Sequence, residues 1–264
     1  KGTLKMAAQF SHVAKDYDKD FTHSVIGNYQ RTQVLDEVAP MLKPESRILE
    51  INCGTGEDAL WLSQRAKTIL ATDISEEMVA VANEKTRTKS NVTCSVLDAN
   101  NIASLHPQTF DVIFSNFGGL NCLSPEDLRE FIKAAAQLLN PGGQLMLVIM
   151  GKKSMWERIY FNLKGEPEKA QRRNTSEALL VNVGGVEVPT WYYSPSDILK
   201  LAATYFEKRK TVPIGLFIAP SFLESFFSNK RWILRIAALM DRFWLVPFAD
   251  YADHYLICLQ KKSA

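Results

Sequence analysis

The chain has 264 residues, of which 46% are hydrophobic and 23% charged. That is the balance of a folded globular protein and excludes a disordered or fibrous one. The formal net charge is only +2, and the basic doublets Lys152-Lys153, Arg172-Arg173 and Lys261-Lys262 are dispersed, which speaks against a nucleic-acid partner.

Taken in chain order, a helical region is expected first, over 10–42, ended by Lys43-Pro44. Strands and helices then alternate. Residues 47–53 read as a buried strand, 57–65 as a helix, 68–74 as a strand, and 76–86 as a helix capped by Ser75. Strands follow at 92–97 and 111–116. An amphipathic helix at 125–139 is capped by Ser124, and the turn Asn140-Pro141-Gly142-Gly143 leads into a strand at 144–150. Short apolar runs alternating with helices imply parallel strands joined by crossover helices, hence an α/β sheet covered on both faces.

After Gly151 the rhythm breaks. Residues 152–193 hold a helix-like piece and a hairpin, 178–183 against 186–192 across Gly184-Gly185. Ser194-Pro195-Ser196-Asp197 caps a helix expected to reach Phe206. Strands are expected at 210–217 and 254–260, separated by an aromatic helical insertion at 220–248. Phe222, Phe226, Phe227 and Trp232 read as the core of that insertion, with a substrate slot as the other reading. Arg235, Asp241 and Arg242 interrupt the apolar stretch 232–248, so no membrane span is expected. No signal-like apolar run follows Lys1. Cys53, Cys94, Cys122 and Cys258 have no metal-ligand spacing, so no metal is expected and a reducing cytoplasm fits best.

The segment Leu49-Glu50-Ile51-Asn52-Cys53-Gly54-Thr55-Gly56 lies where the first strand meets the first crossover helix. Glycines there let backbone approach a ligand, and the helix start offers free amide donors. Asp73, at the end of the second strand, can accept both ribose hydroxyls of a nucleoside. Gly54-Thr55-Gly56-Glu57-Asp58-Ala59 also fits the dinucleotide fingerprint of nicotinamide oxidoreductases, so the loop alone leaves the ligand open. Glu50 before the loop, Asp98-Ala99 after the third strand, and a pair of final strands in place of further βαβ units favour S-adenosylmethionine (SAM).

On these motifs the chain resembles the class I SAM-dependent methyltransferases, within them a bacterial biosynthetic subgroup without an assigned common substrate. The subgroup likeness lies in 114–122, in 151–173 with Trp156-Glu157 and Arg172-Arg173, in 220–223 and in Ala252-Asp253-His254-Tyr255-Leu256. The resemblance implies one domain over 1–264, with a doubly wound seven-stranded sheet in the order 3-2-1-4-5-7-6 and strand 7 antiparallel. Its parts would be an N-terminal helical lid at 10–42, a SAM-binding core at 43–151, and substrate-lid insertions at 152–193 and 220–248. The resemblance assigns SAM contacts to Tyr17, Arg31, Glu50, Ile51, Asn52, Gly54, Gly56, Asp73, Ile74, Met78, Asp98, Ala99, Asn116 and Phe117. Asn52 departs from the family pattern, standing where the first glycine of the loop is usual; Asn tolerates left-handed backbone better than most residues.

The candidate catalytic residues are His254, Glu157 and His23. For each, a purely structural role is the other reading, and Glu157 could instead pair with Arg172. His12 is a similar candidate. The expected reaction moves a methyl group from SAM to a small-molecule acceptor, aromatic or apolar, and yields S-adenosylhomocysteine. A nicotinamide-dependent oxidoreductase and a SAM-binding protein without catalysis remain as alternatives. The absence of an Asn/Asp-Pro-Pro-Tyr/Phe run after the fourth strand argues against methylation of nucleic-acid amino groups.

Overall fold

The computed structural model describes residues 24–183, 185–220, 223–227, 230–243 and 248–263. Tyr17, His12, His23 and Phe222 lie outside these residues. The described chain opens with α1 (Val25–Val38), then alternates β1 (Arg47–Ile51), α2 (Glu57–Leu62), β2 (Thr68–Asp73), α3 (Glu76–Thr86), β3 (Val92–Val96), β4 (Phe110–Ser115), α4 (Pro125–Leu138) and β5 (Leu139–Met150). α5 (Met155–Leu163) and a hairpin, β6 (Leu179–Val183) with β7 (Val186–Thr190), precede α6 (Pro195–Ala202) and β8 (Phe206–Ile214). The chain continues through α7 (Glu224–Phe227) and α8 (Arg231–Phe243) to β9 (His254–Lys261).

One seven-stranded sheet runs β3-β2-β1-β4-β5-β9-β8, with β9 antiparallel to both neighbours and the hairpin β6–β7 forming a separate sheet. With the hairpin set aside, β8 and β9 are the sixth and seventh strands, which is the order expected from sequence. Successive residues point to opposite faces of each strand. Leu49, Ile113, Leu145 and Leu147 therefore pack on one side with Leu128, Phe131 and Ile198. Ile48, Val112, Phe114, Met146 and Val148 pack on the other with Val34, Ala59 and Ala82. Both faces are covered, which is why the central strands read as unbroken apolar runs.

Several boundaries differ from the sequence reading. α2 stops at Leu62, where the Arg65 amide bonds back to the Leu62 carbonyl as a tight turn, rather than running on to 65. α1 ends at Val38 and tightens into a 3-10 turn containing Pro40, which has no amide to continue an α-helical ladder. β5 begins at Leu139 and carries the Asn140–Gly143 turn as a bulge: Phe110 pairs with Leu139, but Val112 pairs with Gln144. α6 ends at Ala202 rather than 206, and β8 starts at Phe206 rather than 210. The run Glu207-Lys208-Arg209 is exposed on an edge strand, where charge guards against edge-to-edge pairing and hides the alternating pattern.

The insertion after β8 packs against α1. Ile26, Ile218, Ala219, Phe227, Leu234 and Ala237 form its core, joined by Trp156 of α5. Two carboxylates fasten it. Glu224 accepts from the Val25 and Ile26 amides at 2.8 and 2.9 Å, capping α1 together with the Ser24 hydroxyl. Asp241 accepts from the Phe217 and Ile218 amides at 2.8 and 3.3 Å. The expected aromatic core is only partly realised: Phe227 is buried, whereas Phe226 and Trp232 are exposed. The buried side of α8 is formed by Leu234, Ala237 and Asp241, and a residue two positions before Leu234 falls on the opposite side of the helix.

Candidate nucleoside site at the carboxyl edge of the sheet

β1 is central, paired with β2 and β4, and its carboxyl end delivers the glycine loop. Three alternate residues of that loop have left-handed backbone: Asn52 at φ 58°, Gly54 at 52° and Gly56 at 78°. Their side-chain requirements differ. A Cβ on Gly56 would meet the Ala82 Cβ at 2.8 Å, so this glycine brings α3 against the loop. A Cβ on Gly54 would have no protein atom within 4 Å. The Asn52 side chain lies against Gly119, where an added Cβ would come within 2.5 Å of Asn52 Nδ2. Gly119 thus makes room for the departure at position 52, and Asn52 Nδ2 is itself buried without an acceptor.

Asp73 ends β2 beside this loop. One carboxylate oxygen accepts from the Gly54 amide at 2.9 Å and the other from the Ser75 amide at 3.0 Å. Burial raises its pKa, and these amide bonds partly oppose the rise. The Ile74 amide adds to these donors, and a carboxylate with about four acceptor sites still keeps room for a further donor. Ser75 caps α3 through the Met78 amide, and Met78 is buried. Ile74 is half-buried. Asp98 accepts from the Asn100 amide and side chain and caps the turn Ala99–Leu105, with Ala99 buried beneath it.

Glu50 lies on the α1–α2–α3 side of β1. It is 2% exposed, and its Oε2 has no hydrogen-bond partner. Burial pushes its pKa well above the usual carboxylate range, the Asp58 and Asp73 charges add to this, and Arg31 opposes it. Asp58 is the residue that sequence reasoning missed. It accepts from Arg31 Nη1 at 2.5 Å and from Asn116 Nδ2 at 2.9 Å. Its position in the first turn of the helix after the glycine loop was the available signal, obscured because the fingerprint treats that place as variable. Asn116 Oδ1 in turn accepts from the Phe117 amide. Phe117 has φ 44°, carries the Arg31 guanidinium 5.0 Å from its ring centre, and meets the His254 ring edge-on at 5.8 Å.

His254 begins β9, opposite Met150 of β5. Its Nδ1 is 3.2 Å from Asp253 Oδ2. Burial alone would raise the Asp253 pKa, but Arg173 and His254 more than offset it and hold the carboxyl well below its ordinary range. Arg173 Nη2 reaches Asp253 Oδ1 at 3.0 Å, and the same guanidinium lies over Tyr192. Glu157 is buried and paired through its two oxygens with Arg172 and Arg173. The structure therefore brings Arg31, Glu50, Asn52, Gly54, Asp73, Asn116, Phe117 and His254 to one edge. It sets Glu157 behind His254 in an ion-pair network, and it leaves Asp98 and Met78 engaged in caps and core.

These features define an open α/β sheet protein with buried carboxylates and a glycine loop gathered at the carboxyl ends of β1, β2 and β4, the place where such sheets bind ligands. Residues 48–143 match the methyltransferase domain family. The chain is 27% identical over 143 residues to a demethylmenaquinone methyltransferase of Clavibacter sepedonicus, covering 54% of this chain and 57% of that protein. It thus spans little more than half of this curated relative. A SAM-dependent methyltransferase of Methanosarcina mazei superposes with TM-score 0.60 at 17% identity, covering 86% of this chain and 98% of that one. The DhpI–SAH complex superposes with TM-score 0.64 at 14% identity, covering 100% and 98%. The chain therefore has the fold of these methyltransferases, and its match to the methyltransferase domain family is confined to 48–143.

Proposed function

We propose that the protein is a SAM-dependent methyltransferase acting on a small-molecule acceptor. The observation that carries this is the pairing of the open Gly54 cradle with the buried, unpartnered Glu50 Oε2 and the braced Asp73 carboxylate. Glu50, Asp58 and Asp73 outnumber Arg31 at this edge, so it suits a ligand bearing positive charge, as the ammonium and sulfonium of SAM do. The anionic pyrophosphate of a nicotinamide dinucleotide would be repelled by a carboxylate at position 50. The antiparallel entry of β9 between β5 and β8 also replaces the further βαβ unit a dinucleotide oxidoreductase would need.

On this reading Asp73 receives the ribose hydroxyls. Gly54 and Gly56 shape the loop with Ile51 and Asn52 beside it, and Ile74, Met78, Asp98 and Ala99 border the adenine. Glu50 faces the ammonium, and Arg31, with Tyr17, closes over the carboxylate. Asn116 and Phe117 floor the place where donor and acceptor meet. When bound, SAM supplies an activated methyl group for in-line displacement by the acceptor. The protein's part is to hold the acceptor collinear with that methyl and to exclude water. Segments 10–42, 152–193 and 220–248 serve as the lid.

His254 is the general base for an acceptor that must lose its proton. Asp253 holds one ring nitrogen, leaving Nε2 to take the proton, and Arg173 keeps Asp253 charged. Glu157, neutralised by Arg172 and Arg173, is a positioning residue for that group; His23 remains a candidate partner. The Clavibacter relative is named for a quinone-type acceptor, which supports an apolar or aromatic acceptor here. The test is transfer of a labelled methyl group from SAM across phenols, carboxylic acids and amines. Label in one acceptor class, inhibited by S-adenosylhomocysteine, is expected. Tight SAM binding with no transfer to any class would leave a SAM-binding protein.

A further inference from the structure

Helix α8 wears its apolar stripe outward. Trp232, Ile236, Leu239 and Met240 are 66, 50, 55 and 38% exposed. At 100° per residue they span about one third of the helix circumference. The opposite side, with Leu234, Ala237 and Asp241, is the buried one. An amphipathic surface helix normally does the reverse and shows its polar side to water. Phe226 and Phe248, at the two ends of the same insertion, are exposed as well.

The sequence of this segment is predominantly basic. Segment 230–243 contains four basic residues, Lys230, Arg231, Arg235 and Arg242, against one acid, Asp241. That acid is turned inward and bonded to the Phe217 and Ile218 amides. Arg235 is exposed, and the Lys230 ammonium lies over the Phe226 ring. An exposed surface made of Trp, branched and thioether side chains with only cationic charge matches a bilayer interface bearing anionic headgroups. Thirteen residues of helix extend about 20 Å, short of the roughly 30 Å hydrocarbon core. Among the described residues no helix is long and apolar enough to cross a membrane. Such a helix lies in the interface and does not span it.

We propose that α8 docks this protein on the surface of an anionic bilayer, with Trp232, Ile236, Leu239 and Met240 inserted and Arg235 and Lys230 at headgroup level. The inference stands apart from the reading of the nucleoside site. Its functional sense is geometric: α8 packs through Leu234 and Ala237 onto Ile26 of α1, and α1 also supplies Arg31, so docking sets the lid side of the site against the membrane.

The test is co-sedimentation of the full chain with vesicles of phosphatidylcholine alone and of an equimolar mixture with phosphatidylglycerol. Binding to the mixed vesicles is expected, weak or absent on the neutral ones, and weakened by raised salt. Ile236→Asp and Trp232→Ser should each lower partitioning about tenfold or more, and Arg235→Gln by about fivefold, since a juxtamembrane cation is worth about 1 kcal/mol. Unchanged thermal melting of the variants shows that the fold is kept. Failure to bind mixed vesicles, equal binding to both vesicle types untouched by Arg235→Gln, or light scattering showing a dimer that Ile236→Asp splits would each overturn the proposal.

Discussion

Substituting alanine at Gly54 and at Gly56 separates the folding role of the loop from its binding role. Both glycines are left-handed, at φ 52° and 78°, and an L-residue there costs roughly 1–2 kcal/mol. At Gly56 the new methyl also comes to 2.8 Å from the Ala82 Cβ and 3.0 Å from its Cα, and overpacking of that kind adds about 1–3 kcal/mol. Gly56→Ala should therefore lower stability by roughly 2–5 kcal/mol. At Gly54 the methyl meets no protein atom within 4 Å, so only the backbone cost of roughly 1–2 kcal/mol applies. The same methyl enters the space assigned to the ligand, so Gly54→Ala should weaken S-adenosylhomocysteine binding tenfold or more, about 1.4 kcal/mol. Urea unfolding and isothermal titration calorimetry on both variants give the two quantities. A Gly54→Ala protein that binds with wild-type affinity, or a Gly56→Ala protein as stable as wild type, would refute this reasoning.

Other consequences follow from the same geometry. Burial raises the Glu50 pKa, and a cation beside it favours the carboxylate, so cofactor binding should release a proton and tighten as pH rises through that raised value. Glu50→Gln should weaken binding and flatten the pH profile in calorimetry. His254→Asn should lower kcat by about 10²–10⁴-fold where the acceptor must be deprotonated while leaving S-adenosylhomocysteine affinity unchanged; an unaltered kcat would remove His254 from the chemistry. Asp241 is raised to about 6 by burial, partly opposed by its amide bonds. The folded state therefore holds its proton more tightly than the unfolded chain, and stability falls as pH rises from about 4 to 6. Relative to wild type, Asp241→Asn should gain stability over that interval, by on the order of 3 kcal/mol at most, in melts at paired pH values.

The sheet was readable in the sequence because its central strands are buried on both faces and joined by capped helices; Ser75 and Ser124 cap helices that begin at Glu76 and Pro125, as their sequence implies. The boundaries that shifted are those set by tertiary contact. Phe206 joins the core as the first residue of an edge strand, and no local pattern distinguishes it from the last turn of α6. The glycine loop was legible because left-handed backbone demands glycine or, at Asn52, a residue that tolerates it. Asp58 was not, because its value lies in meeting Arg31 and Asn116, 27 and 58 residues away. The outward stripe of α8 was hidden for a related reason: periodicity reports that a helix is amphipathic but not which side faces the protein, so Trp232 reads as core from sequence.

The central claim is that an adenosyl group sits at the carboxyl ends of β1 and β2 with its sugar on Asp73. Calorimetric titration of the intact protein with S-adenosylhomocysteine, with NADH as the comparison ligand and Asp73→Asn as the comparison protein, tests it most directly. The account predicts saturable binding of S-adenosylhomocysteine, none of NADH, and at least a tenfold loss in the variant, as befits charge-assisted bonds worth roughly 1.5–3 kcal/mol. Binding of NADH alone, or undiminished affinity in Asp73→Asn, would contradict it.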